Sequence, residues 1–80
     1  MITCNQYDYI EIACMHRYPV KITMRSDSII EGIAQDTKRN DAREECILIK
    51  VGQADTLVIL TDIAKLEVTT ENPHFTEVTF

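Results

Sequence analysis

One stretch near the start of the chain decides its fold, and it reads Tyr7-Asp8-Tyr9-Ile10-Glu11-Ile12-Ala13-Cys14-Met15-His16. It is the only part of the sequence with a convincing helical pattern. At about 100° per residue, the carboxylates of Asp8 and Glu11 share an outer face with the apolar side chains of Ile12 and Met15. A solvated helix face is usually polar throughout, so this mixture favours a docking surface. From composition alone, however, the preferred interpretation is a short amphipathic helix that caps a small β domain.

The ends of this helix are predicted from capping signals. Asn5 is a plausible N-cap, with Asp8 three residues later in a capping-box position, and Pro19 prevents continuation. These signals predict a helix over about residues 6–17. The flank expected to pack inward consists of Ile10, Ala13 and Cys14.

After Pro19 the hydrophobic period changes from helical to two. One face of the predicted strand carries Val20, Ile22 and Met24, and the other carries Lys21, Thr23 and Arg25. Residues 26–28 supply turn formers, and an extended pattern resumes over 29–36, where Gly32 is expected to mark a bend or a bulge. The order predicts an antiparallel hairpin.

The rest of the chain reads as short, closely spaced strands. Residues 37–43 are polar, carry three of the eight basic residues and are predicted to form an exposed loop. Further strands are expected over 44–51, 56–60, 63–69 and 75–80, with a brief helical turn at Thr61-Asp62. One helix and five or six short antiparallel strands predict a mainly β fold, a strongly bent sheet closing into a small Sm-like (SH3-like) barrel over about residues 20–80.

Length and charge limit the possible functions. Eighty residues suffice for one domain, predicted over 1–80, and no apolar run approaches the roughly 18 residues that span a bilayer. Neither a membrane partner nor a secretion signal is indicated, so a cytoplasmic protein is expected. Thirteen acidic residues against eight basic ones give a formal charge of −5, which would repel nucleic acid. A basic protein surface is the more plausible partner.

Catalytic and metal-binding patterns are weak. Cys4, Cys14 and Cys46 are expected to be reduced thiols, and no Cys-x-x-Cys or His-x-x-x-His pair is present to organise a metal. Cys14 and His16 point about 200° apart on a helix, so they do not form a catalytic dyad. The sequence predicts no enzyme, no metal and no cofactor. A redox or metal sensor using the three thiols is one alternative.

The pattern Ile2-x-Cys4 followed by Tyr7-Asp8-Tyr9-x-Glu11-x-Ala13-Cys14-x-His16 resembles the N-terminal signature of the Rho-binding antiterminator family, called Rof or YaeO. The resemblance implies an Sm-like barrel that binds transcription termination factor Rho, a hexameric RNA-dependent helicase. Binding at the RNA-loading surface of the N-terminal domain of Rho would inhibit termination. A protein that is monomeric when free is expected.

The resemblance also implies a set of contact residues. Tyr7, Asp8 and Glu11 would contact Rho from the helix, with the two carboxylates facing Arg or Lys. The family's polar loop would correspond here to Lys38, Arg39 and Asn40.

A different class of function depends on the same basic segment. Lys38, Arg39 and Arg43 could bind RNA in an Sm-like RNA-binding protein. However, the segment is flanked by acidic residues and no exposed aromatic ladder accompanies it, so direct nucleic-acid binding is not expected.

Overall fold

A computed structural model describes residues 2–80 of the chain. Its elements are α1 (Cys4–Met15), β1 (Pro19–Met24), β2 (Ile29–Arg39), β3 (Glu45–Val51), β4 (Ala54–Ile59), a 3₁₀ turn (Leu60–Asp62), β5 (Ile63–Val68) and β6 (Glu77–Thr79). Among the residues described, no helix is long and apolar enough to cross a bilayer.

Thr3, rather than Asn5, caps the start of α1. The backbone N–H of Gln6 donates to Thr3 Oγ1 at 3.1 Å, and the backbone N–H of Thr3 donates to Gln6 Oε1 at 2.9 Å. This reciprocal pair is a capping box, which needs an amide or carboxylate side chain three residues after the cap. The prediction of Asn5 as the cap is therefore wrong, because Gln6 completes the box from Thr3 and Asn5 lies inside the first turn.

The helix ends two residues earlier than predicted, with His16 as its C-cap. Arg17 takes the left-handed backbone conformation (φ 50°). Its N–H donates to the carbonyl of Cys14 at 3.1 Å, and the N–H of Tyr18 donates to the carbonyl of Ala13 at 2.9 Å. These two bonds make a Schellman motif, which terminates α1 before Pro19 is reached.

The six strands form one antiparallel sheet in the order β4-β3-β2-β1-β5-β6. The 3₁₀ turn joins β4, at one edge, to β5, which pairs with β1 on the other side of the sheet. This confirms a mainly β fold, with an N-terminal helix on a strongly bent sheet of the Sm-like (SH3-like) type. The brief helical turn predicted at Thr61-Asp62 is present.

The predicted exposed loop over 37–43 is wrong in its first half. β2 continues to Arg39, with Thr37, Lys38 and Arg39 opposite Ile47, Cys46 and Glu45 of β3. Backbone pairing to β3 holds this polar segment in the sheet although its composition resembles a loop. The true connection covers 40–44, where the backbone N–H of Glu44 donates to Asn40 Oδ1 at 2.9 Å.

The irregularity expected at Gly32 lies elsewhere. The register between β2 and β3 shifts between Ala34 and Asp36, which leaves Gln35 as the extra residue. Gly32 instead permits close approach of two strands, because a methyl group there would overlap the backbone carbonyl of Lys50 and the side chain of Ile49.

The core is formed by the inner flank of α1 together with buried residues of the strands. The inner flank of the helix is buried as predicted, and it packs with strand residues such as Ile22, Ile47 and Leu66. Val20 and Ile22 are buried in β1, which confirms the alternation predicted for this strand. The last strand is shorter than predicted, because only Glu77–Thr79 pairs with β5.

Candidate partner-binding surface

The outer face of α1 is exposed and acidic. Asp8 and Glu11 are both exposed, and their carboxylates make no ion pair or side-chain hydrogen bond within residues 2–80. Met15 beside them is 74% exposed, while Ile12 is half-buried. The helix therefore presents unneutralised negative charge next to exposed apolar surface, as its sequence pattern predicts.

Tyr7 and Asp8 belong to a groove at the start of α1. The groove has a volume of about 250 Å³ and is lined by Ile2, Thr3, Cys4, Tyr7, Asp8 and Glu45. Tyr7 is half-buried and packs against the core, so its ring has a fixed position. Glu45, the first residue of β3, brings a second carboxylate to this groove beside that of Asp8.

Glu11 lines a different cleft, between the second half of α1 and β2. This cleft has a volume of about 380 Å³ and is lined by Glu11, Cys14, Met15, Arg17, Gln35, Asp36 and Thr37. Arg17 Nη1 donates to Gln35 Oε1 at 2.7 Å, while Asp36 Oδ1 accepts from the backbone N–H of Thr37 at 2.8 Å. Asp36 adds a carboxylate that sequence reasoning did not assign to the site, because its position depends on the irregular register of β2.

The surroundings of Cys14 in this cleft raise the pKa of its thiol. Burial, together with the negative charges of Asp36 and Glu11, raises the pKa of Cys14 to about 11, and Arg17 opposes the rise. A thiol with this pKa stays protonated at neutral pH and is a poor nucleophile.

The three polar residues expected to contact a partner have different surroundings. Arg39 is 3.4 Å from Glu45 and also donates to the backbone carbonyl of Arg43 at 3.1 Å. The side chain of Asn40 donates to Glu44 Oε1 at 3.1 Å. Lys38 is exposed and has no ion pair within residues 2–80. Of the three, Lys38 is therefore the most available to a partner.

The tyrosines around the helix do not form one cluster. Tyr9 packs on Phe75 with ring centroids 4.9 Å apart, on the flank away from Tyr7. His16 stacks on His74 at 4.8 Å and on Tyr18 at 5.2 Å. These contacts hold the β5–β6 connection against α1. Sequence reasoning missed this contact, because His74 and Phe75 are distant in the chain and carry no local pattern.

The three cysteines are free, with Cys4 exposed and Cys14 and Cys46 buried. Within residues 2–80, no group of three or more His, Cys, Asp or Glu side chains could hold a metal ion.

Both the sequence and the fold of this chain match known proteins. The model of a family described as "Modulator of Rho-dependent transcription termination (ROF)" matches residues 1–80. A solved structure titled "YaeO bound to Magnesium from Vibrio cholerae O395" superimposes with a TM-score of 0.88 and 40% sequence identity, covering 94% of this chain and 97% of that chain. A search of curated proteins found no match.

Proposed function

The chain belongs to the family of modulators of Rho-dependent transcription termination, and from this we propose that it is a non-catalytic inhibitor of the termination factor Rho. It binds the basic primary RNA-binding site in the N-terminal domain of Rho, blocks RNA loading and so causes antitermination. It acts in the cytoplasm, as a monomer when free. The resemblance seen in the first sixteen residues is confirmed by the family match over residues 1–80.

The observation that supports this proposal most directly is the pair of exposed, unpaired carboxylates, Asp8 and Glu11, on the outer face of α1. A protein surface that loads RNA has to present positive charge to phosphates. An acidic protein with a formal charge of −5 complements such a surface. The RNA-binding site of Rho then cannot hold these carboxylates and RNA phosphates at the same time.

Tyr7 supplies an apolar and aromatic element beside these charges. Its ring is held against the core, so little conformational freedom is lost when a partner covers it. Lys38, Arg39 and Asn40 form the second part of the proposed contact surface. Arg39 stands beside Glu45, which lines the Tyr7 groove, so the end of β2 and the start of α1 border the same surface.

Displacement of RNA from Rho tests the proposal. The purified protein is expected to release a labelled unstructured RNA from Rho, whereas Asp8→Lys and Glu11→Lys release much less while keeping the circular dichroism spectrum of the wild type. Glu71→Lys is a matched control, because it makes the same charge change at an exposed residue that lines none of the grooves described here.

Two outcomes would contradict the proposal. If both helix variants fold and displace RNA as well as the wild type, the carboxylates do not carry the inhibition. Tight binding of the same RNA to this protein without Rho would instead support the RNA-binding alternative through Lys38, Arg39 and Arg43.

A further inference from the structure

The groove beside Tyr7 continues beyond the helix. A second groove of about 380 Å³ adjoins it and is lined by Ile2, Glu44, Glu45, Ile59, Leu60 and Thr61. Because Ile2 and Glu45 line both grooves, the two form one surface depression. We call it the double groove; it extends from the start of α1 across the start of β3 to the 3₁₀ turn.

The double groove combines an apolar floor with an acidic rim. Leu60 is buried in the core, while Ile2 and Ile59 are half-buried and keep part of their apolar surface accessible. Acidic side chains on the rim come from three places, Asp8 in α1, Glu44 before β3 and Glu45 in β3, and all three are exposed.

Neutralisation of this rim is incomplete. Arg39 Nη2 lies 3.4 Å from Glu45 Oε1. Within residues 2–80, this is the only ion pair that any of the three carboxylates forms. Glu44 accepts only a neutral hydrogen bond from the Asn40 side chain at 3.1 Å. Two negative charges therefore border an accessible apolar strip.

We infer that the double groove is a docking site for a segment of Rho that carries a Lys or Arg next to an apolar side chain. The inference rests on the proposed function and deepens it, because it adds Glu44, Ile59 and Thr61 to the contact surface and specifies the chemistry of the occupant. The cation pairs with Glu44 or Asp8, and the apolar side chain covers Ile2 and Ile59.

Charge and polarity select this occupant over two others. A phosphate backbone would meet the carboxylates of the rim and be repelled. A second copy of this chain would bring another net charge of −5 to the same acidic surface. A basic protein segment with an apolar side chain matches both the rim and the floor.

Variants of Glu44 and Thr61 test the inference, since neither residue belongs to the helix face. Thr61 is exposed and its side chain makes no hydrogen bond within residues 2–80, so Thr61→Arg places a cation in the groove without removing a contact. Thr61→Arg and Glu44→Lys are each expected to weaken Rho binding about tenfold, because like charges then meet across the interface. Glu44→Gln keeps an acceptor for Asn40 and is expected to weaken binding less. Glu71→Lys is the control and is expected to bind as the wild type does.

Cys4 gives an independent readout from inside the groove. It is exposed and lines the groove, whereas Cys14 and Cys46 are buried and their thiol pKa values are raised chiefly by that burial. A brief pulse of maleimide therefore labels Cys4 selectively, and mass spectrometry of this chain measures the extent. Bound Rho is expected to slow the labelling of Cys4 severalfold.

The outcomes separate the inference from the proposed function. If Thr61→Arg and Glu44→Lys bind Rho as the wild type does, while Glu11→Lys, which lies outside the double groove, does not bind, the double groove is not a docking site and the proposed function stands. If the wild type itself does not bind Rho, the proposed function fails, and the inference fails with it.

Discussion

The guanidinium of Arg39 lies 3.4 Å from the carboxylate of Glu45, and the two residues stand directly opposite each other in the pairing of β2 with β3. Both side chains are largely exposed, at 63% and 43%. The ion pair therefore adds little to stability, at most about 1 kcal/mol. Its main effect is to reduce the positive charge that Arg39 offers to a partner and the negative charge that Glu45 contributes to the double groove.

From this relationship, Lys38→Ala is expected to weaken Rho binding more than Arg39→Ala does. Lys38 has no ion pair within residues 2–80, so its removal deletes an available charge. Removal of Arg39 deletes one positive charge, but it also frees the carboxylate of Glu45 to pair with the partner. The loss of the first contact is therefore partly offset by the gain of the second. Calorimetric titration of Rho with both variants measures the difference, and a greater loss for Arg39→Ala would contradict this assignment.

Capping by Thr3 predicts a contrast between two neighbouring polar residues. Thr3→Ala removes the acceptor of the capping box and is expected to lower the free energy of unfolding by about 0.5–2 kcal/mol. Asn5→Ala is expected to leave stability unchanged or to raise it slightly, because alanine has the better helix propensity. Urea denaturation followed by circular dichroism measures both. An equal loss for the two variants would mean that Asn5 also contributes to the cap.

The left-handed backbone of Arg17 offers a route to stabilisation. A non-glycine residue in this conformation costs about 1–2 kcal/mol, and glycine relieves most of that cost. Arg17→Gly and Arg17→Ala lose the same hydrogen bond to Gln35, so their difference isolates the backbone effect. Arg17→Gly is expected to unfold at a higher temperature than Arg17→Ala. Equal melting temperatures would show that another part of the Schellman motif determines the helix end.

Close packing at Gly32 predicts that adding a methyl group there lowers the stability of the protein. Gly32→Ala is expected to destabilise the protein by about 1–3 kcal/mol, because the added methyl overlaps the backbone carbonyl of Lys50 and the side chain of Ile49. Gly52→Ala is the comparison: its backbone is left-handed (φ 63°), but no atom lies within 4 Å of the added methyl. Its cost is expected to be about 1 kcal/mol and purely conformational. A Gly32→Ala variant as stable as the wild type would show that β3 can shift away from β2.

Cys14 predicts a loss of stability in alkaline solution. Its pKa is raised from the ordinary 9.0 to about 11 in the folded protein, first by burial and then by Asp36 and Glu11. The folded state therefore holds the thiol proton where the unfolded state has released it, and the free energy of unfolding falls as the pH rises from 9 to 11. The fall attributable to this thiol reaches about 2–3 kcal/mol.

Cys14→Ala provides the comparison for this pH dependence. The variant lacks the thiol, so its free energy of unfolding is expected to decline less steeply between pH 9 and 11 than that of the wild type. Urea denaturation at several pH values gives both curves. Parallel curves would show that other groups account for the alkaline loss.

The elements that the sequence predicts well are those with a regular apolar period. The helical period identifies Ile10, Ala13 and Cys14 as the buried flank, and the alternation after Pro19 identifies Val20 and Ile22. The end of β2 was missed because Lys38 and Arg39 carry no apolar alternation, and their strand conformation comes from backbone pairing with β3. Pairing of this kind depends on the neighbouring strand and leaves no signal in the apolar pattern of Lys38 and Arg39 themselves.

The candidate site, too, could be predicted only in part from the sequence. The exposed carboxylates of Asp8 and Glu11 follow from helix geometry alone. Their separation into two grooves does not, because Glu45 and Asp36 reach these grooves from different strands. The double groove was also beyond prediction from sequence, since it joins Ile2, Ile59 and Thr61 across the folded chain.

The helix is held on its far side by contacts with the C-terminal part of the chain. Tyr9 packs on Phe75, His16 stacks on His74, and Gln6 Nε2 donates to the carbonyl of Thr79 at 2.9 Å. We expect a helix held in this way to meet a partner as a rigid body, with little ordering on complex formation. The encounter is then governed by diffusion and by attraction between opposite charges. When the ionic strength rises, we expect the affinity to fall mainly through slower association, with the dissociation rate nearly unchanged.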